Sequence, residues 1–252
     1  MSDWVLRLTE DRLAGGGWLA LEPQNRVLYM LDGETAVTHG GAASQLGAGS
    51  AWHGAGQCSV TTYGRGARLL RGELVRAGAA VTPEWPGVAS RLVLEHPIAL
   101  DRRAAYLMRC DRVEFAPGGE ALPHRHKGGG IRYLLAGSLD VRIDGHPGGL
   151  MKPGEAWFES GVEPVHAIAS KDEPTSFIRF SILPREIRGQ SSIVYVDPAH
   201  ASVKPRTYAV YVDEPIRLTE FTDMGGLEEP PKPPDARDAP AKPGHPSTPR
   251  PP

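Results

Sequence analysis

The chain has 252 residues and a formal net charge of −2, with 28 lysines and arginines against 30 aspartates and glutamates. So even a balance gives no basic footprint for a nucleic-acid partner, and no stretch approaches the roughly 18 apolar residues of a membrane span. Cys58 and Cys110, the only cysteines, are too few and too far apart for a disulfide framework or a thiolate zinc site; both are expected to be buried, reduced thiols.

The opening "MSDWVLRLTEDRL" scatters charge and has no apolar core, so it does not read as a signal peptide, and a soluble, cytoplasmic protein is expected. Glycine and proline then punctuate the chain every 8 to 12 residues, with short alternating runs between them. Helical periodicity appears nowhere at length. "SLDVRID" places Leu139, Val141 and Ile143 on one face, and "SFIRFSIL" does the same with Ile178, Phe180 and Ile182. A period of two is the mark of a half-buried strand, so an all-β barrel or sandwich is predicted.

The chain also repeats itself. "VLYMLDGETAV" (27–37) matches "IRYLLAGSLDV" (131–141), pairing Tyr29 with Tyr133 and Gly33 with Gly137. "GAGSAWHG" (47–54) then matches "KPGEAWFE" (152–159), pairing Trp52 with Trp157. Two blocks repeated in one order predict two copies of one β-barrel unit. The boundary is placed in "VRAGAAVTPEWPGVASR" (75–91), giving units over 1–80 and 91–224. From 225 to 252 proline and charge dominate, and a disordered tail is predicted.

The second unit carries the chemistry. "PHRHKGGGIRYLLAG" (123–137) is not a phosphate loop, because its glycines precede a β-type run and no helix follows. In a strand, residues i and i+2 share a face, so His124 and His126 project together while Arg125 turns away. Two imidazoles so spaced can share a cation, and "PVHAIAS" offers His166 as a third ligand. His39, His96, His146, His200 and His245 are read as ordinary surface or hydrogen-bonded residues.

At these residues the chain resembles the cupin superfamily. "PGGEALPHRHKGGGIRYLLAGSL" is similar to its first motif, with Gly118, His124, His126 and Gly137 in their slots. "KPGEAWFESGVEPVHAIAS" is similar to the second, opened by Gly154 and with His166 as its histidine. Ser170 stands in the terminal asparagine slot, and Gly130 stands where the family has a glutamate ligand. Glu159 and Glu163 are the nearby carboxylates, and each is read as a loop residue.

The resemblance implies two tandem jelly-roll barrels. One divalent transition metal would sit in the second, on His124, His126 and His166, with Fe2+ favoured and Zn2+, Ni2+ or Mn2+ admitted. In the first copy the histidine slots fall on Ala20 and Glu22 and the third near Thr61, so no metal is expected there. That barrel would then be structural, covering strand edges or contributing to a homodimer interface. Arg132, two residues after the empty glutamate slot, would point inward and fork a substrate carboxylate, or else pair with Glu155 or Glu159. The implied function is a metal-dependent enzyme, a dioxygenase of a small carboxylated or enolisable compound. A metal-dependent isomerase or lyase, or a non-catalytic binding or sensor protein, is the alternative.

Overall fold

A computed structural model describes residues 3–80, 85–144, 148–202 and 206–218. The proline-rich segment, His146 and His245 lie outside the described residues. Within the described residues there is no α-helix, and so no helix long and apolar enough to cross a membrane.

The first half supplies β1 (Trp4–Ala14), β2 (Trp18–Leu21), β3 (Asn25–His39), β4 (Ala42–Gly47), β5 (Ala51–Gly54), β6 (Cys58–Thr61), β7 (Gly66–Arg76) and β8 (Val88–Ile98). The second supplies β9 (Tyr106–Phe115), β10 (Glu120–His126), β11 (Gly130–Ala136), β12 (Leu139–Ile143) and β13 (Gly149–Met151). It continues with β14 (Ala156–Glu159), β15 (Val165–Ala169), β16 (Thr175–Pro184), β17 (Ile193–Tyr195) and β18 (Arg206–Ile216).

The internal repeat is a repeat of topology. In the second unit one sheet runs β14-β11-β16-β9-β18 and the other β13-β12-β15-β10-β17. In the first, β5, β3, β7, β1 and β8 follow one another as β14, β11, β16, β9 and β18 do. Its long β3 bends past Gly33 and goes on to pair with β4 and β6, doing the work of both β11 and β12. These are two tandem curled barrels of one all-β design. Sequence places residues from 91 onward in the second unit, whereas the backbone lays Val88–Ile98 along β1. There β8 hydrogen-bonds an edge that β7 leaves open, as β18 does for β9.

Period two holds along the sheets, but its meaning is inverted. On β9, β11 and β16 the apolar face, with Met108, Cys110, Ile131, Tyr133, Ile178, Phe180 and Ile182, packs against Leu6, Leu8, Val27, Tyr29 and Leu70 of the first unit. Gly72 makes this approach possible, since a Cβ there would stand 2.4 Å from the Phe180 ring. Burying a side chain of that size stabilises by roughly 1.5–3 kcal/mol. The other face of the same three strands carries Arg109, Asp111, Arg132 and Arg179, all buried. Polar residues alternate here because they line a barrel, not because they meet water.

The first barrel also encloses charge. Arg71 donates to Asp11 at 2.7 Å and to Glu73 at 2.6 Å, and Arg26 donates to Glu73 at 3.0 Å. Arg26 also reaches the sulfur of Cys58 at 3.2 Å. Both cysteines are buried and free.

Candidate metal centre

The candidate site in the second barrel's interior is built from three strands. On β10 the burial alternates so that His124 and His126 turn inward and Arg125 turns out, its Nε donating to the Val162 carbonyl at 2.8 Å. On β11 Gly130 and Arg132 face in, and Gly130 pairs across the ladder with Glu159 of β14. The carboxylate missing at position 130 therefore arrives from the facing residue. A glutamate could not stand at 130 itself, because even a Cβ there would meet the Phe180 carbonyl oxygen of β16 at 2.6 Å.

His124, His126 and Glu159, all buried, bring candidate ligand atoms within 4.8 Å of one another. The two imidazoles meet edge to face, ring centroids 4.9 Å apart. His124 Nδ1 lies 2.7 Å from the Leu122 carbonyl, which can only accept, so Nδ1 carries the proton and Nε2 the lone pair. His126 Nε2 stands 3.1 Å from Glu159 Oε2, and its Nδ1 is 3.4 Å from Ser192 Oγ. Trp157 Nε1 donates to Glu159 Oε1 at 2.8 Å, and Arg132 Nη2 lies 2.8 Å from Oε2. Yet Oε2 is shut away from solvent with no hydrogen bond of good geometry.

That buried, under-satisfied oxygen fits a cation. Oxygen and nitrogen ligands each about 2.0–2.2 Å from one ion come to lie about 3 Å apart, as His126 Nε2 and Glu159 Oε2 do. The barrel interior that these donors help to wall has about 20 Å³ of free space, enough for one ion or water.

Electrostatics keep the donors in ligand form. Burial pushes His126 down to about 3, outweighing the pull of the adjacent Glu159 carboxylate, so the imidazole is neutral. Burial alone would raise Glu159, but the Arg132 guanidinium, with His126 and Trp157, holds it well below the usual carboxylate range. Arg132 is itself pushed down to about 10 by burial, partly offset by Glu159, and stays charged at neutral pH.

The sign of the pH dependence follows. Between about pH 6.5 and 3 the unfolded chain protonates His126 and the folded chain does not, so stability falls as pH falls. Glu159, depressed when folded, adds to this: its contribution is present above the unfolded value of about 4.3 and is lost on further acidification. Metal-free protein should thus lose on the order of 1 kcal/mol per pH unit below about 6.5. Melting curves from pH 8 to 4 check this, and a His126→Leu variant should show a shallower slope.

His166 does not join the centre. On β15 Val165, Ala167 and Ala169 face the interior, which turns His166 to the outer surface of the sheet. There its Nε2 meets Glu120 Oε1 at 2.5 Å, cross-strand from Arg142. His166 therefore stands apart from His124 and His126, and Glu159 takes the third place beside them, because strand parity assigns the inward slot to Val165. Arg132 does point inward, but its partner is Glu159, the intramolecular alternative to a substrate carboxylate. Glu159 itself is a strand residue, not a loop residue. A further pair absent from the sequence reading stands beside these groups. Arg179, directly cross-strand from Arg132, grips Asp111 through Nε at 2.7 Å and through Nη2. The signal for it was parity: Arg179 lies on the face opposite Ile178 and Phe180.

Comparison with known proteins agrees with this architecture. Residues 111–181 match the Cupin_2 family model, a cupin domain, covering the span from β9 to β16 that holds the site. No curated protein sequence matches the chain. Among solved structures, oxalate decarboxylase from Bacillus subtilis at pH 4.6 is similar, with TM-score 0.55 and 13% identity over 81% of this chain and 72% of that one. The formate complex of Lactobacillus farciminis oxalate decarboxylase gives 0.57 and 14% over 79% and 85%. AerE from Microcystis aeruginosa gives 0.52 and 14% over 72% and 88%. At such identities the likeness is one of fold.

Proposed function

We propose that His124, His126 and Glu159 hold one divalent transition metal and that the chain is an enzyme acting on a small carboxylated or enolisable molecule. The convergence of these three buried donors carries the reading. A metal bound there would supply Lewis acidity to a substrate oxygen and, as iron, one-electron chemistry. The chain's own residues set its terms. Leu122 fixes the His124 tautomer, Trp157 and Arg132 hold the Glu159 carboxylate in place, and Ser192 sits against the far nitrogen of His126. Glu159 offsets part of the cation's charge that three neutral imidazoles would have left whole.

Two nitrogens and one carboxylate with open positions form the donor set of non-haem iron(II) oxygenases, so the proposed reaction is a dioxygenation and Fe2+ the proposed metal. A metal-dependent lyase is the second reading, supported by the fold likeness to oxalate decarboxylases. An oxygen electrode separates them. Iron-reconstituted protein with a panel of small carboxylates should consume oxygen in step with substrate loss. Equal substrate loss under nitrogen would sink the oxygenase and support the lyase.

A further inference from the structure

Next to the metal-ligand cluster lies a larger cavity of about 330 Å³, and Arg179 and Ile193 belong to the walls of both spaces. It sits where β18 runs along β9, and residues 189–193, which bring Ser192 to His126, close its other side. The barrel interior that the histidines and Glu159 help to wall offers only about 20 Å³, room for an ion or water, so a substrate has to be held in the neighbouring space.

Two arginines reach this cavity, and they differ. Every nitrogen of Arg109 is engaged: Nε and Nη2 hold Asp213 at 2.8 and 3.1 Å, while Nη1 and Nη2 donate to the Gln190 and Ile187 carbonyls. Arg179, its side chain 8% exposed, spends Nε and Nη2 on Asp111, and its Nη1 has no acceptor among the described residues. The Tyr208 ring lies against this guanidinium, 5.3 Å from its centre, and keeps its plane in place. Ile193 and Val210 add apolar surface to its walls.

Charge points the same way. Arg109, Arg132 and Arg179 are each matched by one acid, Asp213, Glu159 and Asp111. A divalent ion would therefore leave this end of the barrel positive, and an anionic guest would offset it.

We infer that this cavity is the substrate pocket and that it selects a small carboxylate, with Arg179 Nη1 donating to the carboxyl group and a short aliphatic or aromatic body lying along Tyr208, Val210 and Ile193. The substrate role rests on the metal centre proposed above, but the binding does not. Calorimetric titration of the full chain with acetate, malonate and benzoate, against acetamide, malonamide and benzamide, tests it at fixed ionic strength. Chelated and metal-reconstituted protein are titrated in parallel, with metal content measured on each. At least one acid should bind and its amide bind more than tenfold more weakly. Arg179→Lys, which loses the fork, and Ser191→Phe, which fills the cavity rim without touching Asp111, should each weaken the acid at least tenfold with metal content unchanged. Equal binding of acid and amide, or acid binding indifferent to both variants, would overturn the inference. Bound metal with no acid bound in either form overturns the pocket alone. Acid binding with no bound metal leaves the pocket standing and removes the metal centre.

Discussion

Glutamine in place of Glu159 is expected to strip the centre of its metal and to cost the fold about 3–5 kcal/mol. The two losses have different causes. Glutamine keeps the shape and can still accept from Trp157, but it removes the charged oxygen that lies 3.1 Å from His126 and 2.8 Å from Arg132. Metal affinity falls because the donor set loses its anion. Stability falls because Arg132, only 2% exposed, is left as a buried charge without its counter-ion. In a chain of this length each kcal/mol moves the melting temperature by about 2–4 °C, so a drop near 10 °C is expected. A double variant, Glu159→Gln with Arg132→Met, separates the effects: the melting temperature should largely recover while metal stays lost. If the double variant binds metal as the parent does, Glu159 is a structural partner of Arg132 and not a ligand.

Arg71→Met should damage the protein comparably and leave the metal alone. Arg71 is 1% exposed and bridges Asp11 and Glu73, themselves 0% and 4% exposed, so its removal strands Asp11 in the first barrel and leaves Glu73 with Arg26 alone. Breaking a buried network in this one-sided way costs about 3–5 kcal/mol. Adding Asp11→Asn to the same chain removes the stranded charge while leaving Glu73 paired with Arg26, and should recover much of the loss. Thermal melts and metal analysis on the three proteins check both halves. A first barrel that merely scaffolds the second predicts full metal content in each variant that folds.

Much of the fold was legible because period two and glycine-marked turns are local signals. Gly33 and Gly137 both take positive φ, 80° and 73°, at the bend where each unit passes from one sheet to the other, so the repeat could be found from its turns. The inversion of the pattern was not legible. Ile178, Phe180 and Ile182 look like the core face of a half-buried strand, and nothing local reveals that their polar neighbours Arg179 and Ser181 are buried as well. That fact comes from the first unit covering the outer face, a contact between residues far apart in sequence.

The site was half legible for the same reason. His124 and His126 share one strand, so spacing alone places them together. A third ligand from another strand depends on register, and a one-residue change of parity moves a side chain through the sheet. His166 falls on the wrong parity, and Val165 on the right one. Glu159 was visible as a carboxylate near the second motif, but only the cross-strand pairing with Gly130 shows that it fills the space the glycine leaves.

Metal analysis of the full chain, purified without a histidine tag, tests the central claim most directly when wild type is set beside His126→Ala and His166→Ala. One divalent metal per chain is expected in the wild type and in His166→Ala, and none in His126→Ala. Full occupancy in His126→Ala, or loss of the metal in His166→Ala, would contradict that claim.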